Sequence, residues 1–269
     1  MYALKDINMA IMAFPSWAYI GAKRLQLEYR RTIVGSLWLI LGFGISTTGI
    51  AVLLAQLQGM TLAIHVPYVA FGMAIWNFIS MSMIGGSTVF EQNRAMMLQL
   101  PLPRTAFVIS HVVKNLILFA INLATACVIS LLFGWTPSVE TFVIVPALLL
   151  CIPAAFAVTT LMGVIATRIP DLGELTASIM RLGFFLTPIF WRVDAPSARF
   201  HGADQTLDIL GLMTIWNPFT HFLEIVRDPL LGEASTLLNW QVSIGLVGAL
   251  VVAALIALQI AGRRVTYWL

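Results

Sequence analysis

Uncharged apolar runs recur along this chain with short polar breaks between them, and their lengths predict its elements. The first, from Ile33 to Leu57, holds about 25 residues and follows directly on Lys23, Arg24, Arg30 and Arg31. A charge at the centre of a bilayer costs at least about 2.5–3.5 kcal/mol. Roughly 20 apolar helical residues suffice to cross the hydrocarbon, so this run predicts a membrane span. Runs at 67–90, 105–133, 141–166, 175–192 and 240–262 predict five more. Pro146 and Pro153 predict kinks in the fourth, and the fifth is short, interrupted by Arg181 and Pro188.

The breaks carry their own signals. A short loop containing His65 joins the first two spans. The stretch 91–104, EQNRAMMLQLPLPR, reads as a short helix broken by Pro101 and Pro103. Gly134-Trp135-Thr136-Pro137 reads as a turn with an interfacial aromatic, and TRIPDLGE (167–174) as a tight return. Between the fifth and sixth spans, the apolar pieces 207–216 and 218–226 are too short to cross. They flank Asn217-Pro218 and predict short re-entrant or interfacial helices. Residues 16–31 predict an amphipathic interfacial helix, with Lys23, Arg24, Arg30 and Arg31 opposite Ala18, Gly21, Ala22, Leu25 and Tyr29.

Composition changes the picture in one respect: it makes the membrane reading general. The chain of 269 residues is 59% hydrophobic and 10% charged, with a mean hydropathy of +0.92, where a soluble domain carries about 25% charged residues. The expected fold class is therefore an all-α membrane protein with six transmembrane helices. An N-terminal amphipathic segment (1–32), the spanning domain (33–262) and a short tail (263–269) divide it. With both termini in the cytoplasm, twelve of the fifteen cations fall inside or at the inner edge, and only Arg192, Arg199 and Arg227 outside. The net charge of +3 is spread beside apolar spans and gives no nucleic-acid footprint. Cys127 and Cys151 lie in apolar runs and read as packing residues, and no cleavable leader is evident in Met1–Phe14.

Reacting groups are missing. The sequence holds no phosphate-binding G-x-x-x-x-G-K-[ST], no H-E-x-x-H and no G-x-S-x-G, so no catalytic residues, metal or cofactor are expected in this chain. Asp171 and Glu174 form either a carboxylate pair at the membrane edge or, as the favoured reading, the acidic start of a helix. Gly245, Ala249, Ala253, Ala257 and Ala261 make a small-residue stripe that predicts close helix packing, within the chain by default and between subunits as the alternative. Arg181 lies two turns after Glu174 on one face. It either snorkels to the inner surface or, as preferred here, lines a water-filled path able to meet phosphate.

The basic pair before Gly35-Ser36-Leu37-Trp38, the segment NPFTHFLEIVRDPLLG (217–232) and the terminal Tyr267-Trp268-Leu269 together resemble one family. It is the membrane subunit of ABC-2-type polysaccharide exporters, which move O-antigen, capsule or teichoic-acid chains across the inner (cytoplasmic) membrane. The resemblance implies a homodimeric pore among membrane lipids, driven by two separate ABC ATPase subunits that hold the ATP and Mg, with a lipid-linked polysaccharide as cargo and no nucleic acid. It implies a coupling helix at about 88–100, with Glu91, Asn93 and Arg94 as ATPase contacts and Lys23, Arg24, Arg30 and Arg31 near the same surface. It also implies gate helices between the last two spans. There Trp191, Trp216, Phe219 and Phe222 either close the mouth and stack on sugar rings or anchor the interface, while Phe184 and Phe185 line the conduit or face lipid. An ABC-2 exporter of a drug or small lipid is the alternative; a membrane-embedded glycan enzyme is the remoter one.

Overall fold

The computed structural model describes residues 2–13, 17, 21, 37–99, 102–192, 214–262 and 265. Its described elements are all helical: α1 (Tyr2–Met12), α2 (Leu37–Gln58), α3 (Leu62–Ser87), α4 (Arg94–Gln99), α5 (Arg104–Leu132), α6 (Ile144–Ala166), α7 (Leu172–Leu186), α8 (Pro218–Leu231) and α9 (Leu237–Ala261). Single 3-10 turns at Glu91–Asn93 and Val139–Val143 lead into α4 and α6. Five helices (α2, α3, α5, α6 and α9) are long and apolar enough to cross a membrane. The chain is a multi-pass membrane protein.

The helices are assembled around α3. Phe71, Ile75, Trp76, Phe78 and Ile79 on successive turns are all buried, enclosed by α2, α5, α6, α7 and α8. Van der Waals contact must hold such a bundle together, because lipid offers no hydrophobic drive between helices. Glycines make that contact close: a Cβ at Gly86 would stand 2.8 Å from Thr159 Cα, and one at Gly163 would stand 2.8 Å from Val89 Cγ1. α3 begins five residues earlier than its apolar run predicts, at Leu62, and carries Pro67 inside it. His65 therefore lies fully buried in a helical turn instead of in the expected loop.

The fifth predicted run gives a different result. α7 holds 15 residues, about 22 Å at 1.5 Å per residue, against a hydrocarbon layer of about 30 Å. It ends because Pro188 biases Thr187 to extended geometry (φ −97°, ψ 138°). The chain then runs without regular structure over Thr187–Arg192. The buried backbone here needs partners from elsewhere, and side chains supply them. Tyr68 OH donates to the carbonyls of Pro188 (3.0 Å) and Trp191 (3.1 Å), Arg227 Nη1 also donates to Pro188 O, and Gln58 Nε2 donates to Phe190 O at 3.2 Å.

The sequence pattern places no element on residues 2–12, yet α1 packs against α5 and α9. Asp6 is the peg. Its carboxylate accepts from Thr105 N (3.0 Å) and Thr105 Oγ1 (2.8 Å), capping the start of α5 from a distant part of the chain. The expected amphipathic helix at 16–31, with Lys23, Arg24, Arg30 and Arg31, lies outside the described residues apart from Trp17 and Gly21. The small-residue stripe of the last span does only part of the expected intramolecular packing. α9 buries Ser243, Val247, Ala254 and Leu258 against its neighbours; of the stripe, Ala261 is buried and Ala257 packs against the core, while Gly245, Ala249 and Ala253 face outward.

Candidate functional site

Three places in the bundle bring predicted residues together. The first is the connection between α3 and α5, at the end of the bundle where α1 also lies. Val89 and Phe90 are buried beneath Gly163, and Asn93 is 1% exposed with its amide donating to Val89 O. Asn93 is thus an inward peg, while Glu91 and Arg94 are exposed. They rim a half-polar pit of about 200 Å³ whose other wall is Thr167, Pro170 and Gly173 of the α6–α7 turn. Pro103, extended at φ −64° and ψ 143°, then starts α5. A short lever pinned from below and polar above can pass a push on Glu91 or Arg94 into α3 and α6.

The second is the uncovered face of α7. Thr176 and Met180 are its buried residues, and Gly183 lets the helix rest on Trp76, with a Cβ position 3.1 Å from the indole. Glu174, Ser178 and Arg181 are exposed in a row: Arg181 Nη2 donates to Ser178 Oγ (2.9 Å), which donates to Glu174 O (3.0 Å). Asp171 stands at the N-cap position with Glu174 in the first turn, as the helix-start reading expects. Towards the far end of α7 the aromatics gather. Phe184 packs on Trp76 (6.1 Å), Phe185 (5.4 Å) and Phe190 (5.3 Å), and Phe219 meets Trp76 edge-on at 5.7 Å. Trp191 Nε1 donates to Phe185 O at 3.1 Å. Phe185 and Trp216 are 65% and 80% exposed, whereas Phe222 is 7% exposed and belongs to the packed core.

The third place is α8, where the sequence pattern placed a short helix but not a buried charge. Asn217 caps α8 by accepting from Phe219 N (3.0 Å), Pro218 takes the first helical position, and Gly232 closes the helix at φ 78°. The same Asn217 donates to Thr187 Oγ1 at 2.9 Å, tying the start of α8 to the end of α7. One turn from the end of α8, Arg227 is 3% exposed, with its guanidinium 3.9 Å from the Tyr68 ring centroid. It was expected as an outer-loop cation; it is instead a buried clamp. Glu224 and Asp228 stand 4.0 Å from it. Burial pushes the Asp228 carboxyl up to about 7, opposed by Arg227 and reinforced by Glu224. Glu224 also accepts from Asn239 (2.7 Å), whose Oδ1 meets His221 Nδ1 at 2.7 Å. The signal available in sequence was one Arg with an acid at i−3 and another at i+1 inside an otherwise apolar helix.

Among the described residues, no group of three His, Cys, Asp or Glu side chains is arranged to hold a metal ion. The sequence pattern of the ABC-2 type transporter membrane family matches residues 16–231. The chain belongs to that family. Comparison with curated proteins finds no match. As an ABC-2 membrane component, the chain is the transport permease of an ABC exporter, its ATPase resides on separate subunits, and ABC ATPases are its partners. The pit beside Glu91 and Arg94 and the open face of α7 therefore belong to a machine whose energy arrives from another chain.

Proposed function

We propose that this ABC-2 permease is the pore-forming half of a homodimeric exporter that moves a lipid-linked polysaccharide of O-antigen, capsule or teichoic-acid type across the cytoplasmic membrane. The observation that carries the proposal is the α7 row of Glu174, Ser178 and Arg181. It is exposed and polar on a helix otherwise apolar enough for membrane depth. Charge at that depth belongs on a water-filled path and not on lipid. α7 together with the irregular segment Thr187–Arg192 then makes the sixth crossing, and a second copy across the α7 face encloses the path. Arg181 meets the phosphate of the lipid carrier through charge-assisted hydrogen bonds. Phe184, Phe185 and Trp191 form its aromatic wall, Trp216 and Phe219 close the outer mouth, and Phe222 supports them from behind.

Both termini and the 88–104 connection face the cytoplasm. There Glu91 and Arg94 contact the ATPase, Asn93 holds them in place, and Lys23, Arg24, Arg30 and Arg31 flank the same surface. Nucleotide and Mg bind on that partner.

The test is export of surface glycan in cells carrying the chain with its ATPase. Arg181→Ala is expected to lower export severalfold and Arg181→Glu to abolish it, with Arg181→Lys retaining most. Wild-type export by both the Ala and the Glu variants would falsify the role.

A further inference from the structure

A second recess lies outside the α7 face. α2, α3 and α5 splay around an open cleft of about 800 Å³, within the volume range of ligand sites. It starts at Thr88 and Gln92, beside the 88–104 connection, and reaches Met73 on α3 and Asn122 on α5, about two thirds along that 29-residue helix. Its lining is unusually polar for a bundle of apolar spans: Asn77 and Ser80 from α3, Asn115 and Asn122 from α5, and Ser46 from α2, with no charged side chain among the described lining residues.

Amides and hydroxyls in an apolar layer need partners, and here several lack them. Asn115 is satisfied on one side, its amide donating to Phe78 O (3.1 Å) and Ser82 Oγ (2.8 Å), so it fixes α5 to α3. Ser80 Oγ is buried with no hydrogen-bond partner. The side chains of Asn77 and Asn122 bond to no other described residue. One aromatic is open beside these groups: Trp38 at the rim is 59% exposed, whereas Phe78 and Phe119, packed with centroids 4.7 Å apart, are buried and form the floor.

The combination selects a ligand class. Carboxamides both donate and accept, so they suit hydroxyls, which do the same. Aromatic faces suit the C–H faces of a sugar ring. Among the described lining residues there is no Lys or Arg to offer a counter-charge to phosphate or carboxylate, and no Asp or Glu to offer one to an amine. We infer that this cleft is a binding site for the uncharged, membrane-proximal sugar of a lipid-linked cargo, separate from the α7 path. The hydrocarbon tail stays in the adjoining leaflet and the phosphate stays outside the cleft. This rests on the exporter reading only for the source of the ligand; the chemistry of the cleft stands by itself.

The experiment uses the permease with its ATPase in lipid nanodiscs and photo-crosslinking probes of one chain length. These are a benzophenone-bearing decyl β-glucoside, the matching decyl glucuronide, decyl phosphate, and decanol with no head group. Mass spectrometry reads the labelled peptides. The glucoside is expected to label α2, α3 and α5 around the cleft at least fivefold more than the other three, and excess unlabelled decyl glucoside to compete the labelling away. Asn77→Leu with Asn122→Leu is expected to reduce glucoside labelling at least fivefold, with Asn122→Ala, the milder change, reducing it partially.

Equal labelling by decanol would make the cleft a lipid groove, and stronger labelling by the anionic probes would make it an anion path; either overturns the inference. So does undiminished labelling in both variants. The wild-type comparison needs no variant, so misfolding of the double substitution does not spare the inference. Glucoside labelling together with wild-type export by the Arg181 variants would sink the α7 path and leave the cleft standing; the reverse result would do the opposite.

Discussion

The Arg227 clamp makes the sharpest stability prediction. Arg227 Nη1 shares the Pro188 carbonyl with Tyr68 OH, and its guanidinium lies 3.9 Å from the Tyr68 ring centroid. A hydrogen bond from a charged donor is worth about 1.5–3 kcal/mol, and a desolvated cation–π contact about 2 kcal/mol. Arg227→Met should therefore cost about 3–5 kcal/mol, the range seen when one member of a buried charge group is removed. Tyr68→Phe keeps the ring and leaves Pro188 O to Arg227 but takes the donor from Trp191 O, so it should cost less, about 1–2 kcal/mol. Because both side chains serve one carbonyl, their effects should not add; the double variant should depart from the sum by at least about 1 kcal/mol. The assay is unfolding in mixed micelles with rising SDS fraction, followed by tryptophan fluorescence. An Arg227→Met midpoint within about 1 kcal/mol of wild type, or strict additivity, would show that the segment after α7 is held by something else.

Two further predictions concern the same end of the bundle. Asn217→Asp keeps the acceptor that caps α8 and loses the donor to Thr187, so it should cost about 1 kcal/mol where Asn217→Ala costs about 2; equal losses in the same unfolding assay would refute the double role. Asp228 has a native carboxyl near 7 against an ordinary 3.8. Its protonated form thus favours folding, an advantage complete below about pH 4 and lost as pH rises through about 7. Wild-type stability should fall over that window by at most about 1.4 kcal/mol per pH unit, and Asp228→Asn should flatten the fall. Parallel pH profiles for the two proteins would exclude Asp228 as the source.

Much of the bundle was legible because a span is announced by run length alone. The run 105–133 became Arg104–Leu132, and 240–262 became Leu237–Ala261, within three residues at each end. Pattern reading failed where a proline or a partner decided. Pro67 looked like the start of its span, but the helix tolerates it and begins at Leu62. Pro188 sits inside an apolar run, and there the helix does stop, because Tyr68 and Arg227 offer the freed carbonyls a better bargain than another turn would. Those partners are 120 and 39 residues away in sequence, beyond the reach of any local periodicity. Asp6 is the same case: its acceptor is used 99 residues downstream, so the first 12 residues gave no sign of their docking. In the candidate site, Glu91, Arg94 and Arg181 are exposed, while Asn93 and Phe222 turn inward and nothing local distinguished them.

The distribution of these contacts also says how a push could travel. Gly86 against Thr159, and Gly163 against Val89 just past α3, hold the two helices in contact closer than a side chain would allow, so they must move as one body at the Glu91–Arg94 end. α7 touches that body through a thin face, with Thr176 and Met180 as its buried residues and glycines at both ends of the contact. At the other end, Asn217, Tyr68 and Arg227 fix the residues that follow α7 to α8 and α3. A displacement entering at Glu91 or Arg94 therefore cannot be absorbed between α3 and α6, and it cannot slide the far end of α7. The remaining freedom is a tilt of α7 about its pinned far end, with the turn at 167–171 yielding. Such a tilt swings the Glu174–Ser178–Arg181 row by the largest amount at Glu174 and the smallest beside the aromatics. On the proposed coupling through Glu91 and Arg94, a path along this row would open first at the Glu174 end.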